Sequence, residues 1–275
     1  MTLLPDTLIW RSRILASKIS GSLPALPPAK LPGLLLSRIE DWDYRYFVLP
    51  AQTDNEGRTV YRTPFGEFYG RPEDRSSLGA VVVEEIARIY ERPPVMIHRG
   101  DVVLDLGANL GTFTRIALNS GARLVVAFEA DADNAGCFRQ TFREELANGS
   151  VILVESPLWS ECRTVHFSGH GLVGQISDEG RPMEAVTIDS TIRALGLTAV
   201  DFIKSDIEGA ERQALAGASE TTRRFSPKMA ISSYHFPDDP RVLESIVCDF
   251  HPYTISWDKG RKRMFCHSLK RANQA

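Results

Sequence analysis

The sequence predicts an α/β fold, a mostly parallel sheet with helices on both faces. Three observations carry this expectation. Short continuous apolar segments alternate with helical ones between residues 102 and 233, the pattern of strands buried on both faces. The first of these strands runs into a glycine-bearing loop and then a helix. The first and second strands both end in an acid, Asp105 and Glu129.

Composition excludes several classes. With 275 residues, 43% hydrophobic and 24% charged, the chain can build a sizeable core and is not a disordered polymer. A net charge of −3 argues against an electrostatically driven nucleic-acid binder. Four cysteines in this length do not make a disulfide scaffold. Met1-Thr2-Leu3-Leu4-Pro5-Asp6 lacks the basic and apolar regions of a signal peptide. No apolar run approaches the roughly 18–20 residues of a spanning helix. The expectation is a cytoplasmic protein.

Taken in order, residues 1 to about 40 are Pro-rich. Leu4, Leu8, Leu15 and Ile19 share a helical stripe beside Arg11 and Lys18, and Pro24, Pro27, Pro28 and Pro32 end any helix. Two readings stand: peripheral membrane contact by residues 1–20, or a helix packed on its own domain or a partner, followed by a linker. Thr59–Thr63 and Gly66–Gly70 read as two short strands around Pro64. Leu78–Tyr90 reads as a helix ending before Pro93-Pro94. Strands follow at Val102–Asp105, Leu124–Phe128, Val151–Glu155, Phe202–Ser205 and Met229–Ser233. Helices read at Phe113–Leu118, Asp133–Leu146, Glu211–Ala216 and Val242–Phe250, with another near Asp189, which would serve as its N-cap. Tyr253–Ser256 and Met264–His267 close the chain as an antiparallel pair through Lys259-Gly260.

The loop Asp105-Leu106-Gly107-Ala108-Asn109-Leu110-Gly111 is the most informative stretch. Its glycines let backbone approach a ligand, and the helix behind it offers free N–H groups. It lacks the full G-x-G-x-x-G pattern, and Asp105 would repel a pyrophosphate while attracting a cationic amino-acid end. Glu129 can accept both hydroxyls of a ribose. A ligand with a ribose, a positive amino-acid portion and no phosphate is required, and S-adenosyl-L-methionine meets all three conditions. Gly169-His170-Gly171-Leu172-Val173-Gly174 matches G-x-G-x-x-G literally, but Gln175–Gly180 is no amphipathic helix, so it reads as a loop in an insertion.

Asp105–Gly111, Val186-Thr187-Ile188-Asp189-Ser190 and Lys204-Ser205-Asp206-Ile207-Glu208-Gly209-Ala210-Glu211 together resemble the FkbM family of S-adenosylmethionine-dependent methyltransferases. The resemblance runs from about Thr63 to about Leu269 and includes Pro64-Phe65-Gly66-Glu67-Phe68 and Leu158-Trp159. It implies a class I methyltransferase fold, a seven-stranded sheet with one antiparallel strand, and methyl transfer to a hydroxyl of a small molecule, sugar or glycan. It places an N-terminal extension at 1–55 and the family domain at 56–275, with a cofactor-binding core at about 95–240. Ser205 replaces the usual aliphatic residue, and Ser232-Ser233-Tyr234-His235 stands where the family commonly has a carboxylate and a His.

The cofactor is expected to meet Asp105, Gly107, Ala108, Asn109, Gly111, Glu129, Ala130, Ser156 and Asp206. Catalytic candidates are His235, Asp206, Glu208 and Lys204, because substrates of parallel α/β folds bind at the carboxyl ends of the strands. His235, with an ordinary pKa of about 6.5, is the expected base. Glu208 also reads as a helix cap, and Lys204, in a buried strand, as one half of a salt bridge. No metal is expected, since Cys248–His251 and Cys266-His267 lack zinc spacing; Mg²⁺ held by Asp206, Glu208 and His235 is the disfavoured alternative. Methylation of nitrogen or of a macromolecule is a second reading, disfavoured by the absence of Asn/Asp-Pro-Pro-Tyr after the fourth strand. A non-catalytic cofactor-binding scaffold is the third. Residues 1–55 are expected to serve as a lid, a homodimer contact or a docking segment.

Overall fold

The computed structural model describes residues 44–169, 175–177 and 179–268. The N-terminal leucine stripe, its prolines and most of the 169–174 glycine segment lie outside the described residues. The chain divides into two compact units, one containing residues up to Ile89 together with Gly136–Thr141, the other containing the rest.

In the first unit, strands β1 (Leu49–Thr53), β2 (Thr59–Thr63) and β3 (Gly66–Gly70) form an antiparallel sheet in that order. Helix α1 (Arg75–Ala87) follows, ending three residues before the expected Tyr90 because Arg88 takes a left-handed conformation and caps it. Phe47, Val48, Val60, Tyr61, Phe68, Leu78, Val82 and Ile86 are buried here. Strand β1 starts ahead of residue 56; its Pro and polar residues carry no strand signal.

The second unit is built on a seven-stranded sheet. Its elements are β4 (Val102–Leu106), α2 (Thr112–Asn119), β5 (Leu124–Phe128), α3 (Ala132–Thr141), α4 (Arg143–Asn148) and β6 (Val151–Val154), then α5 (Ile188–Ala194), β10 (Phe202–Ser205), α6 (Glu211–Ala216), α7 (Ser219–Phe225) and β11 (Lys228–Ser232), then α8 (Asp239–Phe250), β12 (Thr254–Trp257) and β13 (Arg263–His267). The last six residues of α3 belong to the first unit. The order across the sheet is β12-β13-β11-β10-β4-β5-β6, and β13 alone runs opposite to the other strands. Between β6 and α5, β7 (Arg163–Ser168), β8 (Gln175–Ser177) and β9 (Arg181–Ala185) form a small antiparallel sheet of order β8-β7-β9. The expected insertion is therefore a sheet, with the glycine segment between β7 and β8.

The chain starts mid-sheet at β4, walks to the β6 edge, then returns to lay β10 on the other side of β4. Crossovers running in opposite directions from β4 put helices on both faces. One face is a continuous apolar core: Val102, Leu104, Leu106, Val126, Ile203, Met229 and Ile231 pack with Ile188, Ile192, Leu215, Leu243 and Val247. The alternate residues Asp105 and Lys204 project to the opposite face.

Two readings are corrected. The single helix expected at Asp133–Leu146 is two, broken at Phe142, whose ring is fully buried with Arg115 stacked on it. Asp189 is not the cap of its own helix. Thr187 is, in a capping box with Ser190, while the Asp189 carboxylate accepts the N–H groups of Glu220 and Thr221 at the start of α7. Helix α7 itself had no apolar stripe to announce it. Among the described residues, no helix is long and apolar enough to cross a membrane.

Candidate active site

The switch in strand order between β4 and β10 opens a crevice at the carboxyl ends of the strands, where α/β sheets place their ligands. Four of the expected residues converge on the first turn after β4. Gly107 has φ +77°, and a Cβ there would lie 2.0 Å from the Asp206 carbonyl oxygen, so β10 approaches closely only because the residue is glycine. The Gly107 and Ala108 N–H groups donate to Phe128 O, at 3.1 and 2.9 Å. Asn109 is left-handed at φ +51°, and its side-chain oxygen accepts the Leu110 N–H at 2.7 Å. Gly111 has φ +90° and opens α2.

Glu129 follows β5 and is buried. Its Oε2 accepts the Asn109 N–H at 2.7 Å and its Oε1 the Asp131 N–H at 2.8 Å. Those backbone donors leave further lone-pair capacity on both carboxylate oxygens, which suits a vicinal diol. Desolvation pushes its pKa up to about 7, against the pull of the Asp131 and Asn109 N–H groups. Beyond it, a cavity of about 350 Å³ is lined by Ala130, Ala132, Glu155, Ser156 and the β9 residues Arg181–Glu184. Ala130 and Ser156, expected from sequence, thus border one space, and β9 supplies a wall that sequence did not anticipate. The loop glycines, the diol-matched carboxylate and the adjoining cavity fit a nucleoside bearing an amino-acid arm.

Asp105, expected to meet the cofactor, is engaged by the protein itself. It is fully buried, accepts the Thr114 hydroxyl at 2.7 Å, and pairs with Lys204, Nζ to Oδ1 3.1 Å. A ligand ammonium would meet an already compensated carboxylate. Lys204 also donates to Leu106 O at 3.2 Å and Gly107 O at 2.7 Å, so the pair fixes the mouth of the glycine loop. Lys204, placed among the catalytic candidates, is engaged in the salt bridge that its buried strand position also suggested.

The second half of the site follows β10 and β11. The Tyr90 hydroxyl donates to Asp206 Oδ2 at 2.6 Å and the Tyr234 hydroxyl to Asp206 Oδ1 at 3.2 Å. Glu208 and Gly209 are both left-handed, at φ +53° and +96°. Glu211 holds that turn by accepting the Ile207 and Gly209 N–H groups at 2.8 and 3.0 Å. His235 lies among three carboxylates: Nε2 is 3.5 Å from Glu208 and 3.9 Å from Asp206, and Nδ1 is 3.4 Å from Glu211. These are ion-pair contacts; neither ring nitrogen makes a hydrogen bond of normal geometry.

Burial alone would lower the His235 pKa, but Glu208, Glu211 and Asp206 outweigh it and push it up to about 10. Held above its ordinary value by these acids, the imidazole favours its protonated form, in which it would donate to an acceptor hydroxyl rather than take its proton. Asp206, Glu211 and His235 each offer a ligand atom, all within 4.8 Å of one another, so the expectation of no metal has a specific place to be tested. Tyr90, Tyr234 and Glu211 were missed as site residues. Glu211 stood inside the quoted motif and Tyr234 beside His235, whereas Tyr90 carried no signal.

A doubly crossed seven-stranded sheet with a glycine loop after its central strand and an acid after the next is the class I, Rossmann-like methyltransferase fold. The model of the methyltransferase FkbM domain matches residues 105–256, more than half of the chain, and the chain belongs to that family. It is 28% identical over 169 residues to the 31-O-demethyl-FK506 methyltransferase FkbM of Streptomyces tacrolimicus, across 48% of this chain and 65% of that protein. A crystal structure of methyltransferase FkbM from Methylobacillus flagellatus KT shares the fold, with TM-score 0.53 and 20% identity, covering 72% of this chain and 56% of that one.

Proposed function

We propose that this protein transfers a methyl group from S-adenosyl-L-methionine to a hydroxyl oxygen of a small molecule or glycan. The observation that carries the reading is the placement of two different carboxylate sites at one switch point. Glu129 is buried and matched to a diol, while Asp206 and Glu208 lie beside a cationic His235 at the neighbouring strand ends.

When bound, the cofactor supplies an electrophilic methyl on a sulfonium. The chain's own residues divide the remaining work. Glu129 would accept the ribose hydroxyls, and the Gly107–Gly111 turn would give backbone room to the amino-acid arm. Tyr90 and Tyr234 orient Asp206 by donating to both its oxygens. The acceptor's proton passes to Glu208, the most exposed carboxylate around His235, at 35%. The His235 imidazolium stays protonated and stabilises negative charge as it develops on the acceptor oxygen. Positioning of oxygen and methyl in line supplies much of the rate.

The test is turnover. Purified full-length protein is incubated with S-adenosyl-L-methionine and a panel of hydroxylated, amino and macromolecular acceptors, and S-adenosylhomocysteine is quantified. Product with hydroxyl acceptors is expected. Cofactor binding with turnover only on amines or macromolecules would overturn the oxygen assignment, and binding with no turnover on any class would favour a scaffold.

A further inference from the structure

Among the described residues, the exposed large hydrophobic side chains are Leu195, Tyr234 and Phe236, and two of these flank His235. Phe236 is 46% exposed, yet it is built into place rather than left loose. The Arg212 guanidinium lies 4.9 Å from its ring centroid. Arg212 is itself fixed by Asp238 and by the buried Asp239, with Nε 2.7 Å from Asp239 Oδ1. The Phe236 N–H donates to Asp239 Oδ2 at 2.7 Å. The ring edge also packs over Gly209, where a Cβ would come within 3.3 Å of it. Tyr234 is 48% exposed, stacks on His235 at 4.2 Å between centroids, and is held through its hydroxyl by Asp206.

We propose that Tyr234 and Phe236 form an aromatic ledge that seats the acceptor as a saturated, hydroxyl-bearing ring, a pyranose of a glycoside or glycan, with hydroxyls turned toward Asp206 and Glu208. This deepens, and rests on, the methyltransferase reading of the same site. The axial C–H groups of a pyranose carry partial positive charge and match the negative face of an aromatic ring. Rings already held in place lose little freedom on binding, so the contact is cheap in entropy. Ionised carboxylates are acceptors only, and sugar hydroxyls supply the donors they need.

Two other chemistries fit less well. A wholly apolar alcohol would cover the rings but strip water from Asp206 and Glu208 without replacing those hydrogen bonds. A cationic acceptor would face Arg212, already stacked on Phe236, and the Asp238 and Asp239 charges that Arg212 compensates.

Saturation-transfer difference NMR on the full chain with S-adenosylhomocysteine present tests the ledge. The probes are methyl α-D-mannopyranoside, methyl α-D-glucopyranoside, geraniol and tetramethylammonium. At least one pyranoside is expected to give signal concentrated on the protons of one ring face. That signal should fall about fivefold or more in Phe236→Ala and persist in Phe236→Trp, with S-adenosylhomocysteine affinity unchanged in both variants. Pyranoside signal unaffected by Phe236→Ala, or saturation of geraniol or tetramethylammonium with none of either pyranoside, would overturn the ledge while leaving the methyltransferase reading intact. Failure of the wild-type chain to bind S-adenosylhomocysteine would overturn both, and calorimetry separates that result from the first two.

Discussion

Asp105 and Lys204 are register partners on the adjacent parallel strands β4 and β10, and their side chains meet as an ion pair 3.1 Å apart, 0% and 6% exposed. The pair bridges the two strands that define the switch point, and Lys204 adds two bonds to the carbonyls at the start of the glycine loop.

Removing one partner leaves an uncompensated buried charge. Lys204→Met is expected to destabilise the fold by about 3–5 kcal/mol. In a double-mutant cycle with Asp105→Asn, the pair should lose less than the sum of the two single changes. Urea unfolding measures both. Lys204→Met with wild-type stability and impaired turnover would return Lys204 to a chemical role.

The Glu129 carboxyl titrates at about 7 in the free protein because burial raises it. A ribose needs the ionised form as acceptor, so binding is favoured above that pH and opposed below it. Affinity for S-adenosylhomocysteine should fall as pH drops from 8 to 6, approaching tenfold per unit below 7. Glu129→Gln should flatten that profile, and Glu129→Ala should cost about 1.5–3 kcal/mol at pH 8. Calorimetry across pH gives the answer; a flat wild-type profile would remove Glu129 from the cofactor contacts.

His235 carries the opposite sign. Its folded pKa, about 10, lies above its ordinary value of 6.5. Its contribution to stability is therefore fully present below 6.5 and lost as pH rises through 10. His235→Gln should unfold at lower urea than wild type at pH 6, and the gap should close by pH 10. The rate should show no acidic limb near 6.5 from this residue, and a basic limb near 10 that His235→Gln lacks. A ring titrating near 6.5 by NMR would restore the imidazole as a base.

Gly107→Ala tests the close approach of β4 to β10. The added Cβ would sit 2.0 Å from Asp206 O, at a φ of +77° that costs a non-glycine residue about 1–3 kcal/mol before any clash. Cofactor binding should be lost or weakened at least tenfold, by calorimetry, with the circular dichroism of the sheet retained. Undisturbed affinity would mean the loop is far more yielding than its contacts imply.

The sheet was legible in the sequence because its strands are buried on both faces, so β5 stands out as an unbroken apolar run and β4, β10 and β11 as short, largely apolar ones. The closing hairpin was legible through Lys259-Gly260. What escaped was held by tertiary contacts rather than local pattern: β1 and β9 mix Pro with polar residues, and α7 is capped by Asp189 from thirty residues away. In the site, the surroundings of Asp105 and His235 are set by neighbours distant along the chain. Asp105 pairs with Lys204 of β10, and three acids after β10 surround His235. Tyr90, which precedes the whole parallel sheet, could be placed on Asp206 only by the fold.

The return of β10 to the side of β4 also sets an order of events during synthesis. Strand β4 can pair with β5 as soon as residue 128 is available, but its other edge waits until residue 205, 77 residues later. Through that interval a strand of wholly buried residues, Val102–Leu106, presents an unpaired edge, and Asp105 waits without its lysine. Such an edge is the part of a nascent chain most prone to pair with the wrong partner. The acid buried in that strand, costly to leave uncompensated in any sheet that lacks Lys204, makes misassembled pairings unfavourable until the right strand arrives.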